Sequence, residues 1–412
     1  MYARSCSRID KNRPNNNDHE TDLNYTLEMC RWLLKPIGMW PLVKKRACKL
    51  EKATSIVILF ACFTCLLFVI LPSGYSAFIV EKSVQNKVKL LGPVGFCVSS
   101  AIKYCYLITK STVFGRCIEH VQRDWQMVEQ PCHRDIMLKH ASFSRQLIAI
   151  CAIFLYTGGM SYHTVMQFLS KERNKQNFTV RLLAYPCFDT LLDTQSSPTY
   201  EIVFSVHCVA AIILYTVTTA AYSLAATFVT HICGQIQIQM ARLENLVADS
   251  RGKSSFQDRL TVIVRSHGEV LRFSNNVEEA LREICLTEIV ESTLNMCMLE
   301  YYCLKEWENS DAIAILTYFT LLISFTFKVL IFCYIGEVLS EQCSQMAPAS
   351  YNVEWYNLPP KEAYNLVLVS AISLYPPKLT AGNIIELSLN TFAAVVKTSV
   401  VYLNLLRTVT TW

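Results

Sequence analysis

Long stretches of this chain carry no charge at all. None falls between Ala53 and Val80 or between Gln146 and Ser170, and from Ile202 to Ala241 the only basic groups are His207 and His231. About 20 apolar residues in helical form cross ~30 Å of hydrocarbon, so each run is long enough to span a bilayer. The pattern predicts an all-α fold of seven transmembrane helices, at about 53–80, 87–108, 146–169, 202–230, 283–304, 312–335 and 384–406. The fifth is the least apolar. Between the fourth and fifth runs, Arg242 to Arg282 is highly charged yet keeps helical periodicity. This predicts that both helices continue outside the membrane, over about 231–283. The expected organisation is therefore an N-terminal segment (1–52), a six-helix bundle (53–335), a polar connection (336–383) and a last spanning helix with a short tail (384–412).

Composition agrees with the apolar runs, since 52% of the 412 residues are hydrophobic and 17% charged, against about a quarter charged in soluble domains. The net charge of +5 matters less than its placement. With the N-terminus in the cytoplasm, 26 of the 38 Lys and Arg fall inside and 8 outside. That asymmetry predicts a cytoplasmic N-terminus and an extracellular C-terminus. The polar, Asn-rich first 20 residues have no apolar core that would make a cleaved leader. Under this topology Asn177, in Asn177-Phe178-Thr179, is a glycosylation candidate facing outward, whereas Asn24 faces inward.

Chemistry is sparse. No Cys/His set has metal-ligand spacing, and no phosphate-binding loop, nucleophile elbow or HExxH motif occurs, so neither enzyme activity, a cofactor nor a metal is expected. His133, in Pro131-Cys132-His133-Arg134-Asp135, is expected in a loop. The 18 Cys lie largely within apolar runs, as small hydrophobes. Two features stand out. On the last helix Thr391, Ala394, Thr398, Val401, Leu405 and Thr408 recur at helical spacing, opposite Phe392, Val396, Leu403 and Leu406. Such a stripe avoids lipid, either as a helix–helix contact of small residues or as one wall of a pore shared between copies, with Leu405 as its constriction. On the fifth helix Glu288, Glu291 and Asn295 share one face. Because a carboxylate is costly inside a bilayer, this face is expected to lie in the solvated region outside it. Aromatic and sulfur-bearing residues in the second, third, fourth and sixth spans suit either bundle packing or a cavity for a small volatile molecule.

The C-terminal third resembles the insect odorant receptor family. The matching residues are Phe332-Cys333-Tyr334-Ile335-Gly336-Glu337, Ser340, Ala349, Tyr351, Trp355-Tyr356 and Leu358-Pro359, then Leu379-Thr380-Ala381-Gly382, Leu389, Thr391-Phe392, Lys397-Thr398-Ser399, Tyr402 and Leu406-Arg407. Cys30-Arg31-Trp32 and Trp40-Pro41 are similar to the family's N-terminal segment. The resemblance implies a tetrameric, odour-gated, non-selective cation channel in the plasma membrane of olfactory sensory neurons. It implies a tuning subunit that pairs with the shared co-receptor, since the chain lacks that subunit's long fourth-to-fifth extension. It implies an anchor in the sixth-to-seventh connection and a pore lined by the last helix, with Leu405, Thr408 and Val409 at the gate and Val401 and Thr398 along the same face. A volatile ligand would meet Phe96, Tyr156, Met160, Phe204, His207, Tyr318 and Phe325, with lipid around the bundle and no nucleic-acid partner. Two departures are Val401, where members often carry a hydroxyl, and the charged fifth helix. A metabotropic seven-helix receptor and a transporter are the other readings. The first lacks Asp-Arg-Tyr and Asn-Pro-x-x-Tyr signatures, and the second lacks an internal repeat.

Overall fold

The computed structural model describes residues 16–44, 47–165, 183–187, 194–248, 256–308, 312–353, 355–357 and 360–410. Asn177 lies outside them, as does the side chain of Val409. The chain begins with α1 (Asn16–Leu34) and the short α2 (Trp40–Val43). A first spanning helix, α3 (Lys49–Tyr75), continues through one π-helical turn at Ser76–Val80. It starts on a capping box, in which Cys48 Sγ accepts from the Glu51 N–H (3.3 Å) and the Glu51 carboxylate from the Cys48 N–H (2.9 Å). Next come α4 (Val84–Thr109), α5 (Ser111–Gln126) and α6 (Pro131–Met160), the last also extended by a π turn, Ser161–Val165. His133 is therefore not in a loop. It occupies the first turn of α6 and is buried, because Pro131 suits a helix's opening turn and begins α6 before the expected boundary.

Two very long helices follow, α7 (Thr199–Ala248, 50 residues) and α8 (Phe256–Glu308, 53 residues). At 1.5 Å per residue each is about 75–80 Å long, more than twice the hydrocarbon thickness, so both project well beyond the bilayer. Of the expected continuation over 231–283, the described residues 231–248 and 256–283 are helical. Helix α7 is the central post, packed by α1, α3, α4, α6, α8 and α9 (Ala312–Ser344). Its sequence suits that position. Ala, Ser and Thr alternate with larger residues through Ala210–Ala226, which lets neighbours approach closely. Its buried hydroxyls turn back on their own backbone, as Thr218 does to Leu214 O (3.0 Å) and Thr230 to Ala226 O (2.8 Å).

Helix α9 runs through Gly336 without a break. Beyond it lie α10 (Met346–Tyr351), α11 (Pro360–Ser373) and a small hairpin, β1 (Thr380–Ala381) with β2 (Ile385–Glu386), before α12 (Leu389–Thr410). A second apolar core, made from Leu243, Leu246, Leu260, Ile263, Met346 and Leu366, ties α10 and α11 to the projecting ends of α7 and α8. The hairpin turns at Gly382 (φ +64°) and Asn383 (φ +59°), residue types that tolerate positive φ, and the Gly382 N–H donates to Arg282 O (2.9 Å). Among the described residues six helices are long and apolar enough to cross a membrane, and α8 is the seventh of the bundle. Its charges explain why it falls short by composition. The protein is a multi-pass membrane protein.

Candidate functional site

At the end of the bundle remote from α1 a cavity of about 80 Å³ opens between helices. That is room for one small organic molecule. Helix α4 contributes Gly92, Pro93 and Phe96, with Lys89 at the rim; α6 and its π turn contribute Leu155, Gly159, Tyr162 and His163. Tyr215 comes from α7, Asn295, Met298, Leu299 and Tyr302 from α8, and Tyr318, Leu321, Ser324 and Phe325 from α9. Tyr185, from the segment 183–187, closes it against His163 and His207 (ring centroids 5.1 and 5.6 Å). Helix α4 turns Gly92 towards α8 here, where a Cβ built on it would stand 3.6 Å from both Asn295 Oδ1 and Met298 Sδ. The walls are aromatic, with Phe96 against Tyr215 (5.7 Å) and edge-on to Phe325 (5.8 Å).

Of the expected ligand residues, Phe96, Tyr318 and Phe325 line this cavity. Tyr156, Met160, Phe204 and His207 do not. Tyr156 instead bonds Thr216 (2.7 Å), and Phe204 stacks on Tyr200 (6.0 Å). The α8 wall is absent from the sequence-based expectation altogether, because a charged helix face is expected in solvent.

The structure corrects that expectation. Glu288 and Glu291 are not solvated; they sit beneath the cavity with Lys103 of α4 and Lys328 of α9. Lys103 lies 2.7 Å from Glu288 and 3.4 Å from Glu291, and Lys328 lies 2.6 Å from Glu288 and 2.9 Å from Glu291. Two positive and two negative charges cancel, which is the condition for burying them at all. Further bonds complete the cluster, from Ser292 to Glu288 (3.2 Å) and from Asn295 to Glu291 (3.0 Å). The available signal is that Lys103 and Lys328 also fall within apolar runs, and intramembrane charges of opposite sign pair. The quartet touches the cavity wall. Lys328 Nζ stands 4.4 Å from the Phe325 ring centroid and 5.7 Å from that of Phe96.

Helix α12 rests on α8 and α9 by one side only. Phe392, Val395 and Val396 join the main core, while Leu403 and Leu406 pack against a smaller cluster of Val88, Tyr301, Tyr302, Ala314 and Tyr318, of which Tyr302 and Tyr318 also line the cavity. Ser399 is buried and donates to Glu300 (2.9 Å). The opposite face is open. Leu405 is 60% and Val401 63% exposed, Thr408 is exposed and Thr398 half-buried.

Comparison with known proteins bears on this arrangement. Residues 84–400 match the family described as 7tm Odorant receptor. Curated relatives include Odorant receptor 13a of Drosophila melanogaster, 26% identical over 198 residues (44% of this chain, 47% of the relative). Odorant receptor 10 of Aedes albopictus is 24% identical over 56% of this chain and 61% of its own length. The chain thus spans about half the length of the curated relatives it matches. Over 95% of the chain and the whole of the other, the fold is similar to that of the insect olfactory receptor OR5 from Machilis hrabei in complex with eugenol, with a TM-score of 0.77 at 15% identity.

Proposed function

Because this chain belongs to the 7tm odorant receptor family, we propose that it is a subunit of an odour-gated, non-selective cation channel, opened by a small volatile molecule held in the cavity described above. The reading rests chiefly on one observation. Leu403 and Leu406 of α12 pack against the cluster that contains the cavity-lining Tyr302 and Tyr318, and the far side of α12 faces away from its own protomer. A mostly apolar cavity with few polar groups suits a volatile ligand. An uncovered helix face that mixes Thr398, Val401, Leu405 and Thr408 suits a wet axis shared by several copies. In this scheme the ligand favours the open arrangement through its differential affinity for it. Four subunits, this chain and its co-receptor together, surround the axis. Leu405, Thr408 and Val409 narrow it, and the region around α10 and α11 joins the subunits on the cytoplasmic side. The assembly acts in the plasma membrane of olfactory sensory neurons.

Electrophysiology of cells expressing the chain with and without the co-receptor, across a panel of volatiles, tests the reading. Odour-evoked cation current that requires this chain is the expected result. Leu405→Ala is expected to raise resting leak at unchanged surface density. Solute uptake or a G-protein response with no gated current would end the proposal.

A further inference from the structure

One polar group in the cavity floor is held in a single orientation by Glu291. Asn295 is 6% exposed and lines the cavity. Its Nδ2 donates to Glu291 twice, to the backbone carbonyl and to Oε1, each at 3.0 Å. A backbone carbonyl oxygen only accepts, so the amide nitrogen must face it. Turning the amide over would set oxygen against oxygen. Asn295 Oδ1 therefore points the other way, towards α4, where a Cβ built on cavity-lining Gly92 would stand 3.6 Å from it. Both amide protons are used, and among the described residues no donor reaches Oδ1.

We infer that Asn295 Oδ1 sets ligand specificity, and that the ligand class is a small phenol or aromatic alcohol whose hydroxyl donates to it. This rests on the proposed role of the cavity as the odour site. The ring of such a ligand meets Phe96, Tyr162, Tyr318 and Phe325. Tyrosine hydroxyls both donate and accept, so they serve an alcohol and an ether equally well. An amide oxygen only accepts. An ether or ester of the same shape strips water from Oδ1 and returns no hydrogen bond, which is the situation in which a polar site rejects an analogue strongly. The same amide is bonded to the ion quartet, so a hydroxyl arriving at Oδ1 polarises a group already in contact with Glu291.

Matched pairs decide the matter: benzyl alcohol against benzyl methyl ether, and 2-methylphenol against 2-methylanisole. Affinity is measured by ligand-induced thermal stabilisation of the purified full chain, and current by recording from cells expressing the chain with its co-receptor. The hydroxyl member of each pair is expected to bind about tenfold or more tightly. Asn295→Leu is expected to bring the ratio close to one while leaving the ether's affinity within about threefold. A ratio near one in the unaltered chain overturns the inference, as does binding of no pair, or a preference that survives Asn295→Leu. Because that variant also removes a partner of Glu291, it can fail to purify, and the ratio in the unaltered chain then decides alone. Discrimination in binding without any evoked current sinks the channel reading and leaves Asn295 in place. Currents evoked equally by alcohol and ether do the reverse.

Discussion

Lys103, Glu288, Glu291 and Lys328 hold four charges in a part of the bundle where their side chains are at most 3% exposed. Removing one partner leaves an uncompensated charge that water cannot reach, which costs about 3–5 kcal/mol in buried pairs. Lys328→Met should therefore abolish most surface expression or lower the melting temperature of the purified protein markedly. Pairing it with Glu288→Gln restores neutrality and should recover part of the loss; a double variant no better than the single would mean that the charges are not mutually compensated. His267 behaves differently, since it lies outside the spanning segments. It contacts Gln239 (3.1 Å) and Ser373 (3.3 Å) where α7, α8 and α11 meet. Burial holds its imidazole below the usual 6.5. The unfolded chain then takes up the proton first, so this contribution is full above about pH 6.5 and declines as pH falls below it. Thermal melts from pH 7.5 to 5.5 should show this junction weakening, with a shallower slope in His267→Gln.

Among the elements, α12 is held at its start and left open along its outer side. Glu337 of α9 accepts from the Leu389 N–H (3.0 Å), capping α12, and Gly336 lets the chain pass so closely that a Cβ there would collide with Leu387 O. Gly336→Ala must push α12 away from α9, and overpacking of this kind costs about 1–3 kcal/mol. The expected outcome is an altered resting current and a lower melting temperature, read side by side with Gly268→Ala, where open space surrounds the new Cβ. Equal behaviour of the two variants would show that the fit of α12 against α9 is not a constraint. Helix α8 has the opposite character. It meets the cavity with Asn295, Met298, Leu299 and Tyr302, the quartet with Glu288 and Glu291, the hairpin near Arg282 and the second core with Leu260 and Ile263. One continuous helix thus joins the cavity to the second core, and its charges are the reason that it can do so without being an apolar span.

For the molecule as a whole, the excess of Lys and Arg in the N-terminal segment and the loops on its side predicts a cytoplasmic N-terminus. A glycan added at Asn177 but not at Asn24 is the expected outcome, read as a mobility shift lost in Asn177→Gln and retained in Asn24→Gln. The reverse pattern would invert the topology. Two apolar cores, one within the bundle and one around Leu243, Leu260, Met346 and Leu366, are strung along α7 and α8. The second is built from helix ends projecting past the bilayer, which places a folded unit where neighbouring subunits meet if four α12 helices share an axis.

Uncharged runs, their lengths and the basic asymmetry are properties of the chain itself, so the helical spans, the expected orientation and the two faces of α12 could be read directly. Phe392, Val396, Leu403 and Leu406 do form its packed side, while Leu405 and Val401 stay open. Those features follow from a one-dimensional pattern meeting a uniform apolar solvent. The cavity does not. Gly92, Tyr162, Tyr215 and Asn295 come from separate helices, and only packing makes them neighbours. Nor could the fate of Glu288 and Glu291 be decided locally. A carboxylate is excluded from hydrocarbon when considered alone and admitted when two lysines from other helices arrive within 3.4 Å, because the cost of burying a charge depends on what surrounds it in three dimensions.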